Sequence, residues 1–131
     1  MTNAELIGTP FKYGGRGPDS FDCYGLCLHL FERDFGMKPP DYGVSEDFGR
    51  IQALMTSAAV FWTPITYAKP GSLVLFRVGR YIAHCGVVVS DSEFLHTWEQ
   101  SGGVVKERLE HWKNRIVGFY EYSDTGKPQE A

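Results

Sequence analysis

From residue 72 onward this chain is a series of short apolar runs separated by turn residues, and its helical spacing lies almost entirely before them. SLVLFRV (72–78), AHCGVVVS (83–90), EFLHTW (93–98), residues 103–106 and IVGFYEY (116–122) are rich in β-branched and aromatic residues. Val78-Gly79-Arg80, Ser90-Asp91-Ser92 and Ser101-Gly102-Gly103 punctuate them. Helices followed by consecutive strands predict an α+β fold, with N-terminal helices packed on an antiparallel β-sheet. A short helical piece is expected over 107–114, between the last two strands. With 131 residues there is room for one core, so residues 1–122 read as a single domain and SDTGKPQEA (123–131) as a polar C-terminal tail.

The N-terminal half carries the helical signals. Asn3 or Thr2 is suited to cap a short helix through Ile7, stopped by Gly8 and Pro10. FKYGGRGPDSFD (11–22), with three glycines and a proline, reads as loop. Asp22 or Ser20 then caps a helix from Cys23 to Phe35, with Gly36 just past its end. Cys23, Cys27, Leu30, Phe31 and Phe35 fall on its inward stripe. MKPPDYGV (37–44) is extended, as Pro39-Pro40 demands. SEDFGRIQALMTSAA (45–59) predicts another helix, with Phe48, Ile51, Leu54 and Met55 inward.

Composition narrows the function. Hydrophobic residues make up 43% of the chain and aromatics 15%, enough for a packed core. The net charge of −3 and the lack of a basic stripe argue against nucleic acid as the partner. Three cysteines are a poor disulfide framework. The N-terminus MTNAELIGTPFKYGG lacks a signal-peptide pattern, and no apolar run is long enough for membrane insertion. The expectation is a protein made in a reducing cytosol without a signal peptide.

The chemistry centres on Cys23, a thiol at the first turn of a helix that follows a glycine-rich loop. The partial positive charge of a helix N-terminus favours the thiolate, so a depressed thiol pKa is expected. Strand alternation places His84, Gly86 and Val88 on one face and Cys85, Val87 and Val89 on the other. Phe94, His96 and Trp98 share a face of the next run. If the two strands form a hairpin, His84 and His96 are neighbours, on a face that must meet the N-terminal end of the Cys23 helix. A thiol with a nearby histidine is the arrangement of a covalent nucleophile and its base. Cys27 reads as core, His29 as surface, and His111 as structural or exposed. A zinc site from Cys23, Cys27 and His84 is disfavoured, because structural zinc usually takes four ligands and CxxxC on a helix is not a usual knuckle.

GTPFKYGG, FDCYGL, PGSLVLF, HCGVVVSDSEFLHT and the closing GFYEY run in one order over residues 8–122. In that order they resemble the NlpC/P60 cysteine peptidases, a papain-like group that cleaves peptides of bacterial cell walls. The resemblance implies a triad in which Cys23 is the nucleophile, His84 the base and later acid, and His96 the residue that orients His84. Tyr13 stands at the family's YGG tyrosine and would help bind the oxyanion, with the backbone N–H of Cys23 as the other donor. The bond implied joins the γ-carboxyl of D-glutamate to a diamino acid. No cofactor and no metal are implied.

That substrate carries carboxylates, and Arg16, beside the nucleophile loop, is the first candidate to bind them; Arg77 and Arg80 are weaker ones. Asp22 and Tyr24, which flank Cys23, complete the expected substrate-binding set. Tyr24, where many relatives carry serine, and the Pro-rich segment look most like the phage-tail branch, which implies a virion tail acting at the cell wall and tail-tip proteins as partners. Two other settings stay open: a non-catalytic tail assembly protein with the same fold, and a secreted antibacterial amidase effector. Ser72 stands where the family usually has aspartate, and Cys85 where it has an apolar residue.

Overall fold

The computed structural model describes residues 3–41 and 62–122, together with residues 43, 49, 52, 53 and 56. Its main helix, α1, is Cys23–Phe35, and its N-cap is Asp22 rather than Ser20. The Asp22 Oδ1 accepts the Gly25 N–H at 2.7 Å, satisfying one of the donors that a helix start leaves without an intrahelical partner. Gly36 closes the other end in the left-handed region at φ 64°, donating to the carbonyls of Glu32 and Phe31. Leu26, Cys27, Leu30 and Phe31 are buried, but Phe35 is 45% exposed, contrary to the stripe expected from spacing. It is the last residue of α1, where the helix runs off the sheet. Residues 3–8 form turns, with Leu6 N–H on the Asn3 carbonyl at 3.0 Å, rather than the expected capped helix. Of the expected helix at 45–59, residues 49, 52, 53 and 56 are helical. Its inward positions Phe48, Ile51, Leu54 and Met55 lie outside the described residues, as does the tail from 123.

Six strands follow: β1 Trp62–Ile65, β2 Leu73–Val78, β3 Tyr81–Val88, β4 Glu93–His96, β5 Val105–Arg108 and β6 Ile116–Tyr122. They form one antiparallel sheet in the order β1-β6-β2-β3-β4-β5. β1 was not anticipated. Pro64 argues against a strand interior, but β1 lies at the sheet edge, where proline is tolerated. The expected helical piece is a 3-10 helix, Leu109–Arg115, which begins two residues later than predicted because Glu107 and Arg108 belong to β5. Before β2, Lys69 to Ser72 makes a tight turn: Ser72 N–H and Oγ–H both reach the Lys69 carbonyl, at 2.9 and 2.6 Å.

The two faces of the sheet are packed differently. Leu73, Cys85, Val87 and Leu95 lie in one cluster with Leu26, Cys27, Leu30 and Phe31 of α1. Val74, Phe76, Val88 and Phe94 lie in a second, with Leu109 and Trp112 of the 3-10 helix. The body of α1 therefore packs on the Cys85 face, and only its N-terminal end comes to His84.

The nucleophile loop is pressed against that end. A Cβ on Gly25 would stand 2.0 Å from the Gly15 carbonyl oxygen, a backbone atom that cannot swing aside. Gly25→Ala is expected to destabilise the domain by about 3 kcal/mol or more, the upper range for overpacking. Urea denaturation checks this; a midpoint equal to wild type would contradict the close approach.

Candidate active site

The loop before α1 is organised by Asp22 and Arg16. Besides capping the helix, Asp22 accepts the Gly14 N–H at 3.1 Å and an Arg16 Nη1–H at 2.7 Å. Arg16 also donates to the Gly15 carbonyl at 2.9 Å, to both oxygens of Asp41 at 2.7 and 3.0 Å, and to the Gly43 carbonyl at 3.1 Å. A guanidinium has five N–H donors, and these contacts use all of them. Arg16 is thus a clamp between the nucleophile loop and the segment at Asp41. The salt bridges raise its pKa and hold that of Asp41 below the ordinary carboxylate value. The expected carboxylate-binding Arg16 has no spare N–H to offer. Tyr24 likewise ties its hydroxyl to the Pro40 carbonyl at 2.7 Å, fixing the Pro-rich segment over the helix start. Asp22 is 6% exposed and committed to the cap and loop.

His84 and His96 come together as alternation predicts. Antiparallel partners share a face, so the register Phe76↔His84, Val88↔Phe94 and Phe94↔Glu107 places Phe76, His84, Phe94, His96 and Glu107 on one side. His84 Nε2 is 2.8 Å from His96 Nδ1, with both rings buried. His96 Nε2 is hydrogen-bonded to a Glu107 carboxylate oxygen. That same oxygen accepts the Trp112 indole N–H at 3.0 Å. Phe76, Trp98 and Trp112 surround the His84 ring, with centroids 5.5, 5.3 and 5.7 Å away.

Glu107 fixes the tautomers. An ionised carboxylate only accepts, so His96 Nε2 carries the proton directed at it. In a neutral ring His96 Nδ1 is then an acceptor, and His84 Nε2–H donates to it. The lone pair of His84 is left on Nδ1, the nitrogen available to a thiol. Sequence reading missed Glu107 because it was assigned to a helical piece. The signal that could have found it is alternation carried through β5, where Val105 and Glu107 share a face.

Cys23 is partly buried at the start of α1, packs against the cluster that holds Cys27 and Cys85, and is coupled electrostatically to Cys85 and His84. A register shift leaves Ala83 without a partner immediately before His84, a bulge of the kind that bends a strand and re-aims the next side chain. Cys85 points to the other face from His84, as expected, into the cluster against which Cys23 packs. The expected depression of the Cys23 pKa is not found. The interaction with Cys85 and burial push the thiol well up, and outweigh the pull of His84. Burial also lowers both histidines, against the raising contacts of Cys23 on His84 and of Glu107 on His96. The resting pair is therefore a neutral thiol beside a neutral imidazole.

Tyr13 lies in the loop with its ring edge-on to Phe11 at 4.9 Å. Arg77 and Arg80 flank the β2–β3 turn and are exposed; Arg80 stacks on Tyr81 at 5.2 Å. His29 is partly buried against Phe21, its ring 5.1 Å away, rather than at the surface, and His111 is exposed. Cys27 is fully buried.

The lowered histidines predict a stability slope. Their folded pKa values lie below the ordinary 6.5. As pH falls below 6.5 the unfolded chain takes up protons that the folded site resists, so stability is lost through that window and is flat above it on their account. Urea midpoints from pH 7.5 to 5 should fall, and less steeply in His84→Asn. Equal slopes in the two proteins would contradict this.

The papain-like arrangement of helix, thiol and strand-borne histidines can be compared with known proteins. The NlpC/P60 family matches residues 8–121. The chain belongs to the NlpC/P60 family. It is 30% identical over 115 residues to "Probable endopeptidase p60" of Listeria welshimeri, covering 86% of this chain and 20% of that protein. It is 25% identical over 114 residues to "Murein DD-endopeptidase MepS/Murein LD-carboxypeptidase" of Escherichia coli K12, covering 86% of this chain and 55% of that protein. The chain thus spans between a fifth and about half of these relatives. Among solved structures it is similar to the NlpC/p60 domain of the peptidoglycan hydrolase SagA, with TM-score 0.60 and 19% identity, covering 92% of this chain and 91% of that one. NlpC2 from Trichomonas vaginalis gives TM-score 0.69 and 18% identity, covering 91% and 44%. The fold is the papain-like NlpC/P60 fold.

Proposed function

We propose that this NlpC/P60 chain is a cysteine endopeptidase that hydrolyses peptidoglycan stem peptides at the γ-D-glutamyl–diamino acid bond. The observation that carries this reading is the hydrogen-bonded series His84, His96, Glu107, with one tautomer dictated along it and its His84 end coupled electrostatically to Cys23. The family membership and the similarity to a murein endopeptidase support the substrate class.

In this mechanism the Cys23 sulfur attacks the scissile carbonyl while its proton passes to His84 Nδ1. Because thiol and imidazole rest neutral, proton transfer accompanies attack. The new imidazolium is held by His96, whose ring is fixed by Glu107. The backbone N–H of Cys23 and the Tyr13 hydroxyl bind the oxyanion. Collapse of the tetrahedral intermediate expels the amine, which takes its proton from His84. Water, deprotonated by His84, then hydrolyses the thioester. With Arg16 engaged, Arg77 and Arg80 are the exposed cations left near the His84 strand to meet substrate carboxylates.

The setting we favour is a phage or prophage tail acting at the cell wall, with tail-tip proteins as partners. It rests on Tyr24 and the Pro-rich segment that its hydroxyl holds. The test of the activity is digestion of purified sacculi. Released muropeptides should carry a new diamino-acid N-terminus and a free D-glutamate γ-carboxyl; release of intact stems by cleavage at the sugar would overturn the bond assignment.

A further inference from the structure

The peptidase mechanism uses one cysteine, yet all three are gathered at one point. Cys27 and Cys85 are 0% and 1% exposed, with their sulfurs 3.6 Å apart. Cys23 packs against the cluster that holds both, and Cys23 and Cys27 are one helical turn apart on α1. All three are free thiols. Burial alone would be served by valine or alanine at position 85. Cysteine there puts a second thiol against the nucleophile and a third behind it.

We propose that Cys23, Cys85 and Cys27 form a thiol relay that moves an oxidising equivalent from the partly buried nucleophile into the core. Cys85 is the resolving thiol and Cys27 its final partner. The oxidant is a hydroperoxide, and hydrogen peroxide serves as the probe. Cys23 gives its proton to His84 as its sulfur attacks one peroxide oxygen, the O–O bond breaks, and Cys23 sulfenic acid and water form, the departing hydroxide taking the proton back from His84. The Cys85 sulfur then attacks the Cys23 sulfur, the S–O bond breaks, and water leaves with the Cys85 proton. Cys27 attacks the Cys85 sulfur of that disulfide and displaces Cys23 as a thiolate, which recovers the proton lost by Cys27. Overall two thiols and one hydrogen peroxide become one disulfide and two waters. The sulfurs of Cys27 and Cys85 need about 1.5 Å of combined movement to reach bonding distance. The nucleophile is restored, and the disulfide sits in the core between α1 and β3.

The test treats the whole protein with one equivalent of hydrogen peroxide, alkylates free thiols under denaturation, and maps the products by mass spectrometry. Wild type should give a Cys27–Cys85 linked peptide and alkylated Cys23. Cys27→Ala should accumulate the Cys23–Cys85 disulfide. Cys85→Val should form neither, and its Cys23 sulfenic acid, trapped with dimedone before alkylation, should rise several-fold over wild type. Equal dimedone-trapped Cys23 sulfenic acid in wild type and Cys85→Val would overturn the proposal, as would a Cys23–Cys85 disulfide that persists in wild type. The wild-type map stands by itself should either variant fail to fold. None of these readouts needs turnover, so their failure and that of the peptidase reading are distinguishable.

Discussion

Cys23→Ala is expected to lower kcat/KM on stem peptides by roughly 10⁴-fold or more while the domain stays folded. The magnitude follows from its place: Cys23 is the thiol coupled to His84, and no other thiol stands at the start of α1 among the described residues. Cys23→Ser should not rescue the rate. The site leaves even the thiol protonated, and a hydroxyl, with its far higher pKa, asks more of a base whose own pKa burial has lowered. Thermal melting should be little changed for either variant, because Cys23 is partly buried and the helix is capped by Asp22. Residual activity within tenfold of wild type would remove Cys23 as nucleophile.

The second large effect is expected at Glu107, a positioning residue separated from the thiol by two histidines. Glu107→Ala should reduce kcat about 10- to 100-fold with KM nearly unchanged, the range for residues that orient a ligand or base from behind. Without the carboxylate, His96 is free to carry its proton on Nδ1, and that N–H would face the His84 nitrogen that should be donating. The His96 pKa, already lowered by burial, would also lose the contact that raises it. Glu107→Gln keeps an acceptor oxygen for both His96 and the Trp112 indole, and should recover most of the rate. Measuring kcat, KM and the pH profile of the two variants separates orientation from packing. Equal losses in Ala and Gln, with KM changing as much as kcat, would contradict the tautomer argument.

Local signals made the outline of the site readable. Asp22 and Gly36 bracket α1 because capping is a one-residue effect, and period-two alternation brings His84 and His96 to one face with no knowledge of the rest of the sheet. What could not be read depends on partners distant in sequence. Arg16 looks like a free loop cation until Asp41 takes two of its donors from 25 residues away. Glu107 becomes visible only when β5 pairs with β4. β1 has Pro64 in a four-residue run and is a strand because β6 and the sheet edge accept it. The Cys23 pKa fails as a local prediction for the same reason. A helix N-terminus favours the thiolate, but Cys85, arriving on β3, and burial weigh more.

The most direct test of the account is hydrolysis of the defined peptide L-Ala-γ-D-Glu-meso-diaminopimelate-D-Ala by the wild-type protein, with products identified by mass spectrometry. The account predicts L-Ala-D-Glu and diaminopimelate-D-Ala as the two products, formed over many turnovers. A protein shown to be folded by circular dichroism that leaves this peptide and purified sacculi intact would contradict it.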